Sequence, residues 1–385
     1  MKKFLISLLC LCSMIVMTAC GSNSPAAEKT APGASSRPEA PASGETGGGE
    51  NSGEAHEPYH ISIAGGRSGD TWFVLSHALA SFINERSDWL TAEVVTTAGI
   101  ADDVRLVAGD DTLWDNYLVC TMVPGNDVWG EGKYLPKLVA TMCFQSDCLI
   151  TLDPNLKLED LSRKNIALPR DTPFGNGRVF RNFFEIAGVA GYNDLPGGNG
   201  DRLTALQDGA ADAGVLVPDF YYPDTFVMGS GMLELSSRGT LYFPMQGRTE
   251  EFLPLMTQAC KSGDFVGEYE LPAMVAIAPA GAFGEGQTEE VPFFAWPIYL
   301  AASDDVPDDV IKEVCRIYYE AAQKSEFADY HAVGVGITPE LAAFSPWEEG
   351  PQFDKFYHSA AREFYESAGQ EIKHFSDLQA NLLGK

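Results

Sequence analysis

From residue 58 onward, apolar positions along the chain follow two alternating rhythms. Short β-branched runs predict strands, and stretches with an apolar residue every three or four positions predict helices, so the body reads as α/β. Four junctions share one form: a strand, a loop of small residues, then a helix. His60–Ala64 precedes Gly65-Gly66-Arg67-Ser68-Gly69 and a helix over Thr71–Asn84, with Trp72, Leu75, Leu79, Phe82 and Ile83 on one face. Glu93–Thr96 leads through Thr97-Ala98-Gly99 into a helix through Val104, Leu106 and Val107. Asn165–Leu168 precedes a loop from Asp171 to Gly177 and a helix through Val179, Phe180, Phe183, Phe184 and Ile186. Gly197-Gly198-Asn199-Gly200 opens a helix around Leu203 and Leu206, followed by a strand over Ala213–Val217.

The first 57 residues follow neither rhythm. Met1-Lys2-Lys3, a largely apolar run from Phe4 to Met17 and the small residues before Cys20 have the form of a secretory signal. The run is shorter than the roughly 20 residues a helix needs to span the hydrocarbon core. Cys20-Gly21-Ser22 after Thr18-Ala19 is similar to a bacterial lipobox, so residues 1–19 are expected to be a signal peptide and Cys20 the site of lipid attachment. Residues 21–57 hold no Val, Ile, Leu, Met, Phe, Tyr or Trp. Such a segment cannot offset its ordering entropy, and 20–57 is expected to be a lipid-anchored disordered linker. Its flexible reach is roughly 35 Å.

Charge then narrows the partners. With 26 Lys+Arg against 54 Asp+Glu, the net charge of −28 excludes a nucleic-acid or polybasic membrane-surface protein. Removing residues 1–19 takes away Lys2 and Lys3 and no acid, which makes −28 into −30. Eight cysteines in 385 residues are too few for a disulfide framework, and no spacing supports zinc. Cys143 and Cys148 could form a disulfide or lie buried on or beside a strand. The doubled acids Asp110-Asp111, Asp304-Asp305 and Asp308-Asp309 lack the spacing of a calcium loop and read as solvated loops or helix starts. No nucleophile elbow, P-loop or Cys/His signature asks for catalysis, and no cofactor or metal is expected.

The four Gly-rich junctions carry the chemistry. A helix N-terminus presents unpaired N–H groups, and in open α/β sheets ligands bind beyond the carboxyl ends of the strands. Two junctions fall before residue 150 and two after it, so two lobes could clamp one small polar molecule between them. In so acidic a chain, an anionic ligand would need the cleft to be locally positive.

Several segments resemble the TAXI-type solute-binding proteins of tripartite ATP-independent periplasmic (TRAP) transporters. They are Gly66, Gly69 and Thr71 in the first loop, then Thr97, Gly99, Arg105-Leu106 and Gly109 in the second. Ala205–Ala213 and His358–Gly369 are similar to two further segments of that family. The resemblance covers residues 58–370 or so. It implies a class II periplasmic-binding-protein fold, two α/β lobes joined by crossing hinge strands near Cys148–Leu152 and Pro297–Ala301. Lobe I would comprise 58–148 plus 298–385, and lobe II 149–297. The implied function is capture of a small carboxylate or amino-acid-like ligand (glutamate/glutamine class) and delivery to a TRAP permease. The expected ligand-binding residues are Gly66, Arg67, Ser68, Gly69, Thr71, Trp72, Thr97 and Gly99 on one wall. Thr172, Phe174, Gly175, Asn176, Asp219 and Tyr222 face them, with Tyr221 beside Tyr222.

The chain departs from the family at Asp70, Ile100, Asp103 and Arg170–Phe174. Asp70 or Asp103 could face the cleft and favour a ligand with an amino group; alternatively Asp70 is an N-cap and Asp103 lies in a first helical turn. Trp72 could pack on the ligand or in the core, and His358 could cap a helix. Two other readings keep the fold: a binding lipoprotein of an ABC importer of sulfonates or thiamine precursors, and a ligand-sensing subunit of a signalling system.

Overall fold

The computed structural model describes residues 56–122, 134–171, 176–261 and 273–383; the signal, Cys20 and most of the linker lie outside them, as do Thr172, Phe174 and Gly175. The first half runs β1 (Tyr59–Ala64), α1 (Thr71–Arg86), β2 (Leu90–Val95), α2 (Ile100–Ala108), β3 (Tyr117–Thr121) and the fifteen-residue β4 (Lys137–Thr151). Next come β5 (Asn165–Pro169), α3 (Asn176–Ile186), β6 (Asn193–Gly197), α4 (Asn199–Gln207), β7 (Ala213–Leu216), β8 (Asp219–Tyr221), β9 (Thr225–Val227), α5 (Ser230–Ser236), α6 (Thr249–Lys261) and β10 (Met274–Ala278). The twelve-residue β11 (Val291–Ala302) returns the chain, and α7 (Asp308–Gln323), α8 (Pro339–Ala342), α9 (Pro351–Phe356), α10 (Ser359–Ser367) and α11 (Phe375–Leu382) follow.

The sheet order β2-β1-β3-β11-β4-β7-β5-β6, with β10 beside β11, defines an α/β fold of two lobes sharing two long strands. In one lobe β1, β2 and β3 are parallel; in the other β5, β6 and β7 are parallel. β4 and β11 pair antiparallel between them, from Lys137↔Ala302 to Asp147↔Phe294. At about 3.3 Å per residue β4 extends roughly 50 Å, long enough to serve both lobes. The crossing segments expected near Cys148–Leu152 and Pro297–Ala301 overlap these strands, which are longer than the sequence suggested. β11 is buried along its whole length because both its faces are covered, so it reads as a continuous apolar run. Pro297 has no N–H to donate, and the β11–β4 register shifts one residue later, between Ile298 and Tyr299.

In α2, Val104 and Val107 are buried but Leu106 is 40% exposed, because it points about 200° round the helix from Val104. β2 begins three residues earlier than expected, at Leu90. Cys143 and Cys148 are both buried and unbridged. Five residues apart on one extended strand, they lie about 16 Å from each other on opposite faces, beyond disulfide reach. His358 is the N-cap of α10, its Nδ1 accepting the Ala360 N–H at 3.3 Å. Among the doubled acids, Asp308 and Asp309 open α7, and Asp110 caps a short 3₁₀ turn at Asp111–Leu113. No described helix is long and apolar enough to cross a membrane.

Candidate functional site

The loops that follow β1, β5, β6 and β7 all leave the carboxyl ends of parallel strands, where open α/β sheets place ligands. They surround a cavity of about 790 Å³. One wall carries Arg67, Gly69, Asp70, Thr71 and Trp72; the facing wall carries Asn176, Gly197–Leu203, Leu216, Val217, Asp219 and Gly229–Gly231; Gln145 of β4 lies at the seam. Arg67, Gly69, Thr71, Trp72, Asn176 and Asp219 of the expected site residues therefore meet in one cavity.

The others are placed elsewhere. Gly66 sits beneath the first loop, where a Cβ would fall 2.3 Å from Trp72 Nε1, and its φ of +85° suits glycine. Ser68 is exposed outside the lining. Gly99, at the N-cap of α2, borders Arg67. Tyr222 packs against Phe144, and its hydroxyl meets Asn381 and Glu340, on the side of the C-terminal helices.

Asp103 explains why Thr97 turns inward. It lies in the first turn of α2, fully buried, and accepts the Gly66 N–H at 3.0 Å and the Thr97 hydroxyl. One carboxyl thus ties the two predicted loops together. Its second oxygen has no hydrogen-bond partner among the described residues. Burial pushes this carboxyl up to about 8, against the pull of the Thr97 and Gly66 donors. Asp70 stands at the N-cap of α1 without capping it; its carboxylate instead takes the Arg67 N–H and guanidinium at 3.2–3.3 Å. Trp72 lines the cavity and also packs against the core.

The sequence reading missed a buried charge cluster under the facing wall. Arg202, 3% exposed, turns back beneath the α4 N-terminus and donates to Val215 O at 2.7 Å, Gly197 O at 3.1 Å and Asn199 Oδ1. Its Nη2 is 3.8 Å from Asp147 Oδ1, and Asp147 Oδ2 accepts the Asn176 amide at 2.6 Å. Burial raises the Asp147 carboxyl to about 6, opposed by Arg202 and by the Asn176 and Gln145 amides. The same burial lowers Arg202 from its ordinary value. One signal was available: Gln145-Ser146-Asp147 is a polar interruption inside the apolar run Leu138–Ile150. Ser146 joins in by donating to Pro218 O at 2.8 Å.

Among the described residues, the lining does not show the expected local reversal of charge. The lining holds three arginines and four acids, Asp70, Asp201, Asp219 and Glu234.

No protein-family model matches the sequence, and no curated protein matches it. Among solved structures, the chain is similar to a periplasmic sulfonate-binding protein from Methylobacillus flagellatus (12% identity, 86% of this chain and 96% of that one, TM-score 0.46). It is also similar to a TctC solute-binding protein from Polaromonas (11%, 86% and 99%, TM-score 0.41). A third is a probable amino-acid ABC transporter extracellular-binding protein from Bacillus subtilis (11%, 73% and 99%, TM-score 0.43).

Proposed function

We propose that this protein is an extracytoplasmic solute receptor that captures a small carboxylate or amino-acid-like molecule between its lobes. The observation that carries the reading is the cavity itself. Loops from both lobes line it, and the long strands β4 and β11 are shared by the two lobes. A ligand touching both walls stabilises the closed arrangement by its differential affinity for it. We read the partner as a TRAP-type permease, with the chain tethered through lipid on Cys20. An ABC importer is the second reading; a large permease gene without an ATPase beside this one favours the first, and an ATPase gene favours the second. Mass spectrometry of small molecules released from the purified protein tests capture directly. A thermal-shift screen over amino acids, carboxylates and sulfonates adds to it, since a ligand at a hundred times its Kd stabilises by about 2.7 kcal/mol. Absence of any released solute, with no compound raising the melting temperature, overturns the reading.

A further inference from the structure

Each arginine lining the cavity already has a carboxylate of this chain. Arg67 pairs with Asp70 at 3.3 Å, Arg170 with Asp201 at 3.4 Å, and Arg202 with Asp147 at 3.8 Å. Of the remaining acids, Glu234 accepts the Gln207 amide at 2.8 Å. Asp219 is left. It begins β8 directly after the Leu216–Val217 edge of the cavity and is half-buried. Its carboxylate makes no hydrogen bond or ion pair among the described residues. Burial holds it above the ordinary carboxylate range, and the one opposing influence is the His331 imidazole. That ring uses Nδ1 to accept the Val333 N–H at 3.1 Å. Tyr221 on the same strand is a phenol whose own ionisation Asp219 helps to suppress, so it brings no positive charge. A desolvated carboxylate facing a polar cavity is stabilised most by a cation with N–H donors.

We infer that Asp219 recognises a protonated amine on the ligand, so that the cavity selects ammonium-bearing solutes over bare dicarboxylates. The assignment rests on the receptor reading and gives to Asp219 the role the sequence suggested for Asp70 or Asp103. Asp70 is occupied by Arg67, and Asp103 is buried beneath the loops.

The test uses the full-length chain and matched probes differing by one amino group: L-glutamate and glutarate, taurine and ethanesulfonate, β-alanine and propionate. In any pair that binds, the amine-bearing member is expected to bind at least tenfold tighter. Asp219→Asn is expected to abolish that preference, and Asp219→Glu to restore part of it. Both variants should melt, without ligand, within a few degrees of the parent. A bare anion binding as tightly as its amine partner, or a preference surviving in Asp219→Asn, overturns the assignment and leaves the receptor reading standing. If no probe of either kind binds the parent chain, the receptor reading fails for this panel and the assignment falls with it.

Discussion

Replacing Asp103 by Asn isolates the one carboxyl that fastens the two Gly-rich loops of the first lobe. Asparagine keeps an oxygen to accept from Gly66 and Thr97 but cannot ionise. In the folded chain burial lifts the Asp103 carboxyl from its ordinary 3.8 to about 8. Between those values the folded form holds a proton that the unfolded form has released. Wild-type stability therefore falls as pH rises from about 4 to about 8 and levels off above that. Each pH unit corresponds to about 1.4 kcal/mol, so pH 5 to pH 7 should remove about 3 kcal/mol from the wild type. Asp103 is 0% exposed, which leaves little solvent screening to reduce that figure. Asp103→Asn lacks this term. Urea unfolding of both proteins at pH 5, 6, 7 and 8.5 measures the difference. The wild type should lose about 3 kcal/mol relative to the variant across pH 5–7 and little more above pH 8. A difference that stays constant to about 0.5 kcal/mol over pH 5–7 would refute the assigned protonation state.

Arg202→Met strips Asp147 of its buried partner and should cost about 3–5 kcal/mol in urea unfolding, with Asp147→Asn/Arg202→Met recovering most of it. The loss should be smaller at pH 5 than at pH 8, because an unpartnered Asp147, raised further than about 6, takes up a proton; equal losses sink the pairing argument. Gly66→Ala, with its Cβ aimed at Trp72, should cost more than about 2 kcal/mol, whereas Gly69→Ala, with open space around it, should cost only about 1–2 kcal/mol from its φ of +95°. Similar losses for the two would dismiss the Trp72 contact. Cys143 and Cys148 should resist maleimide in the folded chain and react once it is unfolded, since burial pushes the Cys143 thiol up to about 12 and raises Cys148 as well. Peptide mapping reads this out, and rapid native labelling at either residue would contradict their placement inside β4.

The sequence carried the elements well where local pattern and burial agree. The helices after Gly69 and Asn176 show one apolar face, and they form with Leu75, Leu79, Phe82, Phe180 and Phe183 buried. Leu106 in α2 is exposed, because one apolar side chain in a short amphipathic helix need not face the core. Part of the cavity lining was legible for a related reason: Gly-rich turns between strand and helix announce themselves in any sequence. Arg202 and Asp147 did not, since 55 residues separate them and nothing local shows that β4 passes under the N-terminus of α4. The same holds for the roles of Asp70, Asp103 and Asp219, three carboxylates of one residue type.

By itself, then, the sequence determined the α/β alternation, the placing of the strand–loop–helix turns and the chain's strong acidity, all of which depend on neighbours a few residues apart. Tertiary structure alone decided where the charges go. It gave Asp70 to Arg67, buried Asp103 beneath Gly66 and Thr97, matched Arg202 with Asp147, and left Asp219 at the cavity wall with no hydrogen bond or ion pair among the described residues. The physical reason is that a carboxylate's role is set by its desolvation and by the donors within about 4 Å of it, and only the folded chain fixes those.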